Sequence, residues 1–182
     1  MANADTPKGF QPTGIMYGLG RYEIDAGTST AVFRNDLIEA DDDDSSGDDG
    51  YAVLAAAGGT MILGSVQGTT SATTAQKALV AASTAATLLV TDHPDQKYIA
   101  QDDGVSTTSA QTNVFNNADV VVGAGSTTTG LSGHEIDISD VKTATAQIRL
   151  IDIQRRPDNA FGANADWLCR INEHFYGSTT GT

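Results

Sequence analysis

Apolar residues along this chain come in short bursts separated by Gly, Pro, Asn, Asp, Ser and Thr. The two clearest bursts are residues 145–154 and 167–176. β-Branched and aromatic side chains fill both, and Pro, Asp, Asn and Gly punctuate the stretch between them, which predicts two antiparallel strands. In the second burst Trp167, Cys169, Ile171 and Phe175 share one parity, so they line one face of a pleated strand. Glu173 interrupts that face, and His174 falls on the opposite one. The connection 155–166 is about twelve residues, far longer than a tight hairpin turn. A long loop between two well-specified strands is a natural contact surface.

The same pattern recurs through the chain. Residues 21–25 alternate and read as a strand, and 31–40 as another, kinked at Asn35-Asp36. Residues 51–56 and 61–66 flank Gly58-Gly59, which is a hairpin signal. Strands are predicted at 87–92 and 97–102 around a turn at 93–96, then at 118–122, and briefly at 135–138 before a turn at 139–140. Residues 75–82 read as a short helix or an irregular loop. Residues 109–117 read as a short helix with Ser109 as its N-cap. Turn signals at this spacing predict an all-β fold, a small barrel or sandwich with one or two short helices and long loops. Residues 21–182 form its β-rich domain, with an inserted lobe near 68–140 as a variant of that plan. No repeat of fixed period runs through the chain.

Residues 1–20 lack periodicity. They hold Pro7, Pro12 and four glycines, with Phe10, Ile15, Met16, Tyr17 and Leu19 strung among them. A frayed terminus is one reading. Disordered tails rarely carry so many large apolar groups, so an extended arm that buries these anchors on a neighbour is the expectation.

Composition narrows the functional classes. The chain has 182 residues, 40% of them apolar, and a net charge of −13. That charge opposes binding to nucleic acid or to anionic lipid, both of which need clustered Lys and Arg. A single cysteine, Cys169, rules out an internal disulfide framework, and its place on an apolar strand face predicts an inert buried thiol. No apolar run approaches the ~18 residues of a membrane span. The start of the chain lacks a basic region followed by an apolar one, so the expectation is a protein made and assembled inside a cell.

Chemical motifs are weak. His93, His134 and His174 lie in different elements without partners at metal-ligand spacing. Gly125 and Gly130 match the glycines of a phosphate loop, but Leu131 stands where its lysine belongs. Gly123-x-Gly125 lacks the third glycine of a dinucleotide fingerprint. Residues 41–50 contain six aspartates, and Asp41, Asp43 and Ser45 resemble the start of a calcium loop. Ala52 occupies the twelfth position, where a glutamate would close that site, so a solvated loop is favoured. No serine sits in a nucleophile elbow. Trp167, the single tryptophan, reads as core and not as a platform for sugars.

Several phrases carry a family likeness. They are Arg155-Arg156-Pro157-Asp158-Asn159-Ala160, then Asn164-Ala165-x-Trp167-Leu168-x-Arg170-Ile171-Asn172-Glu173-His174, and the small polar tail 177–182. The opening Met1-Ala2-Asn3-Ala4-Asp5-x-Pro7-x-Gly9-Phe10 and the segment Gly123-Ala124-Gly125-Ser126-Thr127-Thr128-Thr129-Gly130 belong with them. Together they resemble the head decoration, or cement, proteins of tailed double-stranded-DNA phages. The resemblance implies a structural virion protein on the outer capsid surface that clamps the major capsid protein lattice. It implies no enzyme activity and no cofactor. Similar cement proteins are commonly homotrimers, and some have a β-barrel or sandwich core with an N-terminal arm along the shell. On this basis Phe10, Pro12, Ile15, Tyr17 and Leu19 of the arm are expected contacts. Arg155, Arg156, Pro157, Asp158, Asn159 and Phe161 of the loop join them, the two arginines being suited to bidentate pairing with shell carboxylates. The alternative is a virion-surface module that recognises host glycans.

Overall fold

The computed structural model describes residues 3–41, 50–59, 61–70, 78–105 and 109–177. Most of the acidic run, part of the segment 75–82 and the polar tail after residue 177 lie outside them. Two five-stranded antiparallel sheets pack as a sandwich.

The first sheet has the order β1 (Gln11–Thr13), β7 (Lys97–Gln101), β12 (Asp166–Ile171), β11 (Ile148–Ile153), β8 (Asn117–Ala118). The second has the order β2 (Gly20–Ile24), β6 (Ala86–Thr91), β5 (Ile62–Thr69), β3 (Leu37–Ala40), β4 (Ala52–Leu54). β9 (Val120–Val121) and β10 (Glu135–Ile136) form a small ribbon beside them. The all-β expectation holds, as a sandwich and not a closed barrel.

The inner faces bury one core. Phe10, Leu37, Ile62, Tyr98, Ile148, Leu150, Trp167, Cys169 and Ile171 belong to it. The alternation of Trp167, Cys169 and Ile171 is therefore as predicted, but the strand stops at Ile171, and Phe175 starts a single 3-10 turn, Phe175–Gly177. A second cluster covers the other face of the second sheet, because neighbours on one strand point to opposite sides. Leu37 and Ile62 face the first core, while Ile38 and Leu63 face the second. Val32 and Val80 close over that second cluster and bridge to each other through their backbones.

Several local expectations are corrected. β4 and β5 do not form a hairpin across Gly58-Gly59: β3 lies between them and pairs with both. A tight turn does form there, with Gly59 N–H donating to Ala56 O at 3.2 Å, but the strands on either side of it pair with β3 and not with each other. The buried Gln147 side chain holds that turn: its Nε2 donates to the Ala56 carbonyl at 2.9 Å and its Oε1 accepts from Gly58 N–H at 3.2 Å. The predicted helix at 109–117 is only the 3-10 turn Gln111–Asn113, with Ala110 and not Ser109 at its N-cap. Residues 78–82 are not helical. The stretch 68–140 is no separate lobe, since β6 and β7 sit inside the two sheets.

The terminal arm is also corrected. Residues 3–13 lie on their own domain. β1 adds to β7, Asn3 binds the carbonyls of Ala160 and Ala163, and Gln101 holds Ala4 and Thr6. Phe10 is completely buried and its N–H donates to Asn35 O at 3.0 Å. Gly9 permits this approach: it has φ +69°, and a Cβ there would lie 2.4 Å from the Ser132 side chain.

Candidate partner-binding surface

β1 ends at Thr13, and the chain then swings outward before entering β2 at Gly20. This connection carries Ile15, Met16, Tyr17 and Leu19, exposed by 74%, 52%, 52% and 45%. Both ends are anchored, because β1 pairs with β7 and β2 pairs with β6. Tyr17 stacks on His93 of the 93–96 turn, with centroids 3.9 Å apart and planes 14° from parallel. Gln96 adds a bond from its Nε2 to Thr13 O at 3.0 Å. Beside this tip, Tyr22 Oη donates to Asp92 Oδ2 at 2.8 Å and lies 2.8 Å from the exposed Tyr176 hydroxyl. An apolar tip is thus held in a defined position by the strands on either side of it. Such a concentration of exposed apolar groups on one loop marks an interaction surface.

The expected contacts divide sharply. Ile15, Tyr17 and Leu19 are on the surface. Phe10 is in the core, which corrects its assignment as a contact. Pro12 is half-buried within β1, where it is paired with Tyr98. The loop 154–165 lies at the other end of the first sheet: Gln101 pairs with Asp166 there, while Lys97 pairs with Thr13 at the tip end.

In that loop both guanidinium groups are exposed and already hold acceptors of their own domain. Arg155 grips Asp152 through Nε and Nη2 at 3.1 and 2.8 Å. Arg156 reaches Asp166 at 2.6 Å, Asp158 at 2.8 Å and Gln154 Oε1 at 2.7 Å. Asn159 is buried and acts as a staple: it donates to Gln154 O and Asp166 O and accepts from Asp166 N–H. Phe161 is half-buried against Trp167. Pro157 and Asp158 remain exposed. Ile153, Arg155, Arg156, Asn159, Ala160 and Phe161 line an open groove of about 500 Å³.

The candidate chemistry is wired structurally. His134, Asp36 and Ser132 meet in the core, but not as an activated nucleophile. His134 Nδ1 accepts from Leu37 N–H at 3.2 Å, its Nε2 lies 3.7 Å from Asp36 Oδ1, and Ser132 bonds to the Asp36 carboxylate. Burial pushes Asp36 up to about 6 and His134 down to about 4. His174 is buried, its Nδ1 accepts from Tyr176 N–H at 3.1 Å, and burial lowers it to about 4. Burial raises the Cys169 thiol, which sits against Tyr98 O. In the 125–130 segment the Ser126 hydroxyl takes the N–H groups of Thr128 and Thr129, so those donors are turned into the loop itself. Among the described residues no three His, Cys, Asp or Glu side chains converge as metal ligands.

The exposed tip was visible in the sequence as large apolar residues in a glycine-rich segment. A second feature was not. Lys97, Arg170 and Arg149 stand directly opposite one another on three adjacent strands. They are far apart in sequence, and only the register brings them together. Comparison with protein-family models, curated proteins and solved structures returns no match.

Proposed function

We propose that this protein is a phage head decoration protein, a structural subunit that docks on the outside of a capsid and stabilises the lattice of the major capsid protein. The observation that carries this reading is the apolar tip of Ile15, Met16, Tyr17 and Leu19, fixed between two paired strands of a rigid sandwich. Such a tip is suited to burial in a socket of a partner, and its binding needs little further ordering of the chain. The phrases around Arg155–Ala160 and Trp167–His174 support the same reading by their resemblance to cement proteins. The mechanism is area burial, multiplied by many copies around one shell. Trp167 lies wholly in the core and donates its indole N–H to Asp102 Oδ2 at 3.1 Å, so it offers no stacking platform to a sugar.

The test is addition of purified protein to expanded phage shells that lack a decoration layer. Bound protein and a raised shell melting temperature support the reading. Failure to bind such shells, with binding to host glycans instead, overturns it.

A further inference from the structure

The outer face of the first sheet carries a row of like charges. Antiparallel pairing sets Lys97 against Arg170, and Arg170 against Arg149. Directly paired residues project to the same side, and their inward neighbours Tyr98, Cys169, Ile148 and Leu150 are buried, so all three cations point outward. Strands lie ~4.8 Å apart, so the row is about 10 Å long. Thr13 continues it on β1, and the apolar tip begins two residues on, at Ile15. Row and tip therefore border each other.

This arrangement runs against both the composition and the local energetics. The chain has only 10 Lys and Arg against 23 Asp and Glu, yet three cations are lined up. Like charges directly opposite on neighbouring strands are destabilising. Internal carboxylates do little to relieve them. Arg170 has Asp95 at 3.9 Å, with both side chains well exposed. Arg149 spends its donors on the amide oxygens of Asn117 and Asn172. Lys97 has no ion pair among the described residues. By contrast Arg155, Arg156 and Lys142 are all neutralised at short range.

Resting on the proposed function, we infer that the shell surface receiving this tip is an apolar socket with an acidic rim, and that Lys97, Arg149 and Arg170 face its carboxylates. A protein surface fits better than a nucleic acid. A net charge of −13 repels a polyanion at long range, and an aliphatic tip beside the row has no use on a phosphate backbone. A rim of complementary charge steers encounter and fixes orientation, while the tip supplies the buried area.

The test uses the full chain and decoration-free expanded shells, with the K97Q/R170Q variant alongside wild type. Both positions are exposed, so the variant keeps its fold, checked by an unchanged or slightly raised melting temperature. The expected result is an association rate with shells about tenfold lower for the variant in low salt, the gap closing as added salt screens the row. Carbodiimide coupling of wild-type decorated shells, which joins only amines and carboxylates in contact, is expected to link Lys97 to a shell Asp or Glu. Equal binding by variant and wild type, with no Lys97 cross-link, overturns the acidic rim and leaves the decoration reading standing. Absence of wild-type binding overturns both. Tight binding of wild type to duplex DNA or anionic vesicles, lost in the variant, also overturns the protein rim.

Discussion

The Tyr17 ring lies flat on the His93 imidazole, with centroids 3.9 Å apart. The two residues belong to different connections, one between β1 and β2 and the other between β6 and β7. The stack therefore splints an exposed loop against the turn that carries the chain from one sheet to the other. The pair is superficial, so H93A is expected to cost less than about 1 kcal/mol of folding stability. It frees the tip, whose ordering must then be supplied on docking, and shell affinity is expected to fall roughly three- to tenfold. H93F keeps a flat ring and is expected to restore affinity. Urea melts and shell titrations of the two variants, side by side, check this.

Phe10 makes the opposite prediction. It is fully buried, packs edge-on to Tyr98 at 6.5 Å, and its carbonyl accepts from the Ser65 hydroxyl at 2.7 Å. F10A is expected to cost about 3–5 kcal/mol, the range for a large ring lost from a packed core. I15A, five residues on, is expected to leave stability within about 0.5 kcal/mol. Denaturant unfolding of the two variants separates the folded part of the terminal segment from its docking part.

Gln147 ties three separate stretches together. Its side chain accepts from Val120 N–H at 2.9 Å and from Gly58 N–H, and donates to Ala56 O. Q147L keeps the volume and leaves the buried Val120 N–H, and the part-buried Gly58 N–H and Ala56 carbonyl, without this partner. The expected cost is roughly 2–4 kcal/mol. Amide hydrogen exchange at Val120 and Gly58 is expected to speed up more than exchange within β12.

These residues also explain what was legible in the sequence. Trp167, Cys169 and Ile171 announced a half-buried strand because a period of two depends only on neighbours. Gly58-Gly59 announced a turn, which forms, but not a hairpin, because β3, earlier in the chain, lies between the two flanking strands and pairs with both. Phe10 and Ile15 looked alike, both large and apolar among Pro and Gly, and packing alone sends one inward and one outward. Arg155 and Arg156 read as free cations, since the reach of Asp152 and Asp166 depends on how the loop closes. The row of Lys97, Arg170 and Arg149 needed the register of three strands, one of which carries a bulge between Leu150 and Asp152.

The response of stability to pH contains opposing contributions. His134 and His174 are buried and lowered to about 4 from an ordinary value of 6.5. Between those values the unfolded chain binds more protons, so their contribution is complete above pH 6.5 and is lost as pH falls toward 4. Asp36 is raised to about 6 from 3.8, and Glu135 to about 7 from 4.5, both chiefly by burial. For these acids the folded chain binds protons more tightly, so stability rises as pH falls through the same window. The two sets of groups therefore oppose each other in the wild type. Removing one side of the balance should expose the other. D36N loses the gain on acidification, so its deficit relative to wild type is expected to be greater at pH 4.5 than at pH 7, by roughly 1–3 kcal/mol. H174Q removes a group that favours high pH, so its deficit should instead be smaller at pH 4.5. Urea unfolding of the three proteins at the two pH values decides it. Parallel shifts of both variants would mean that these buried groups do not titrate in this range.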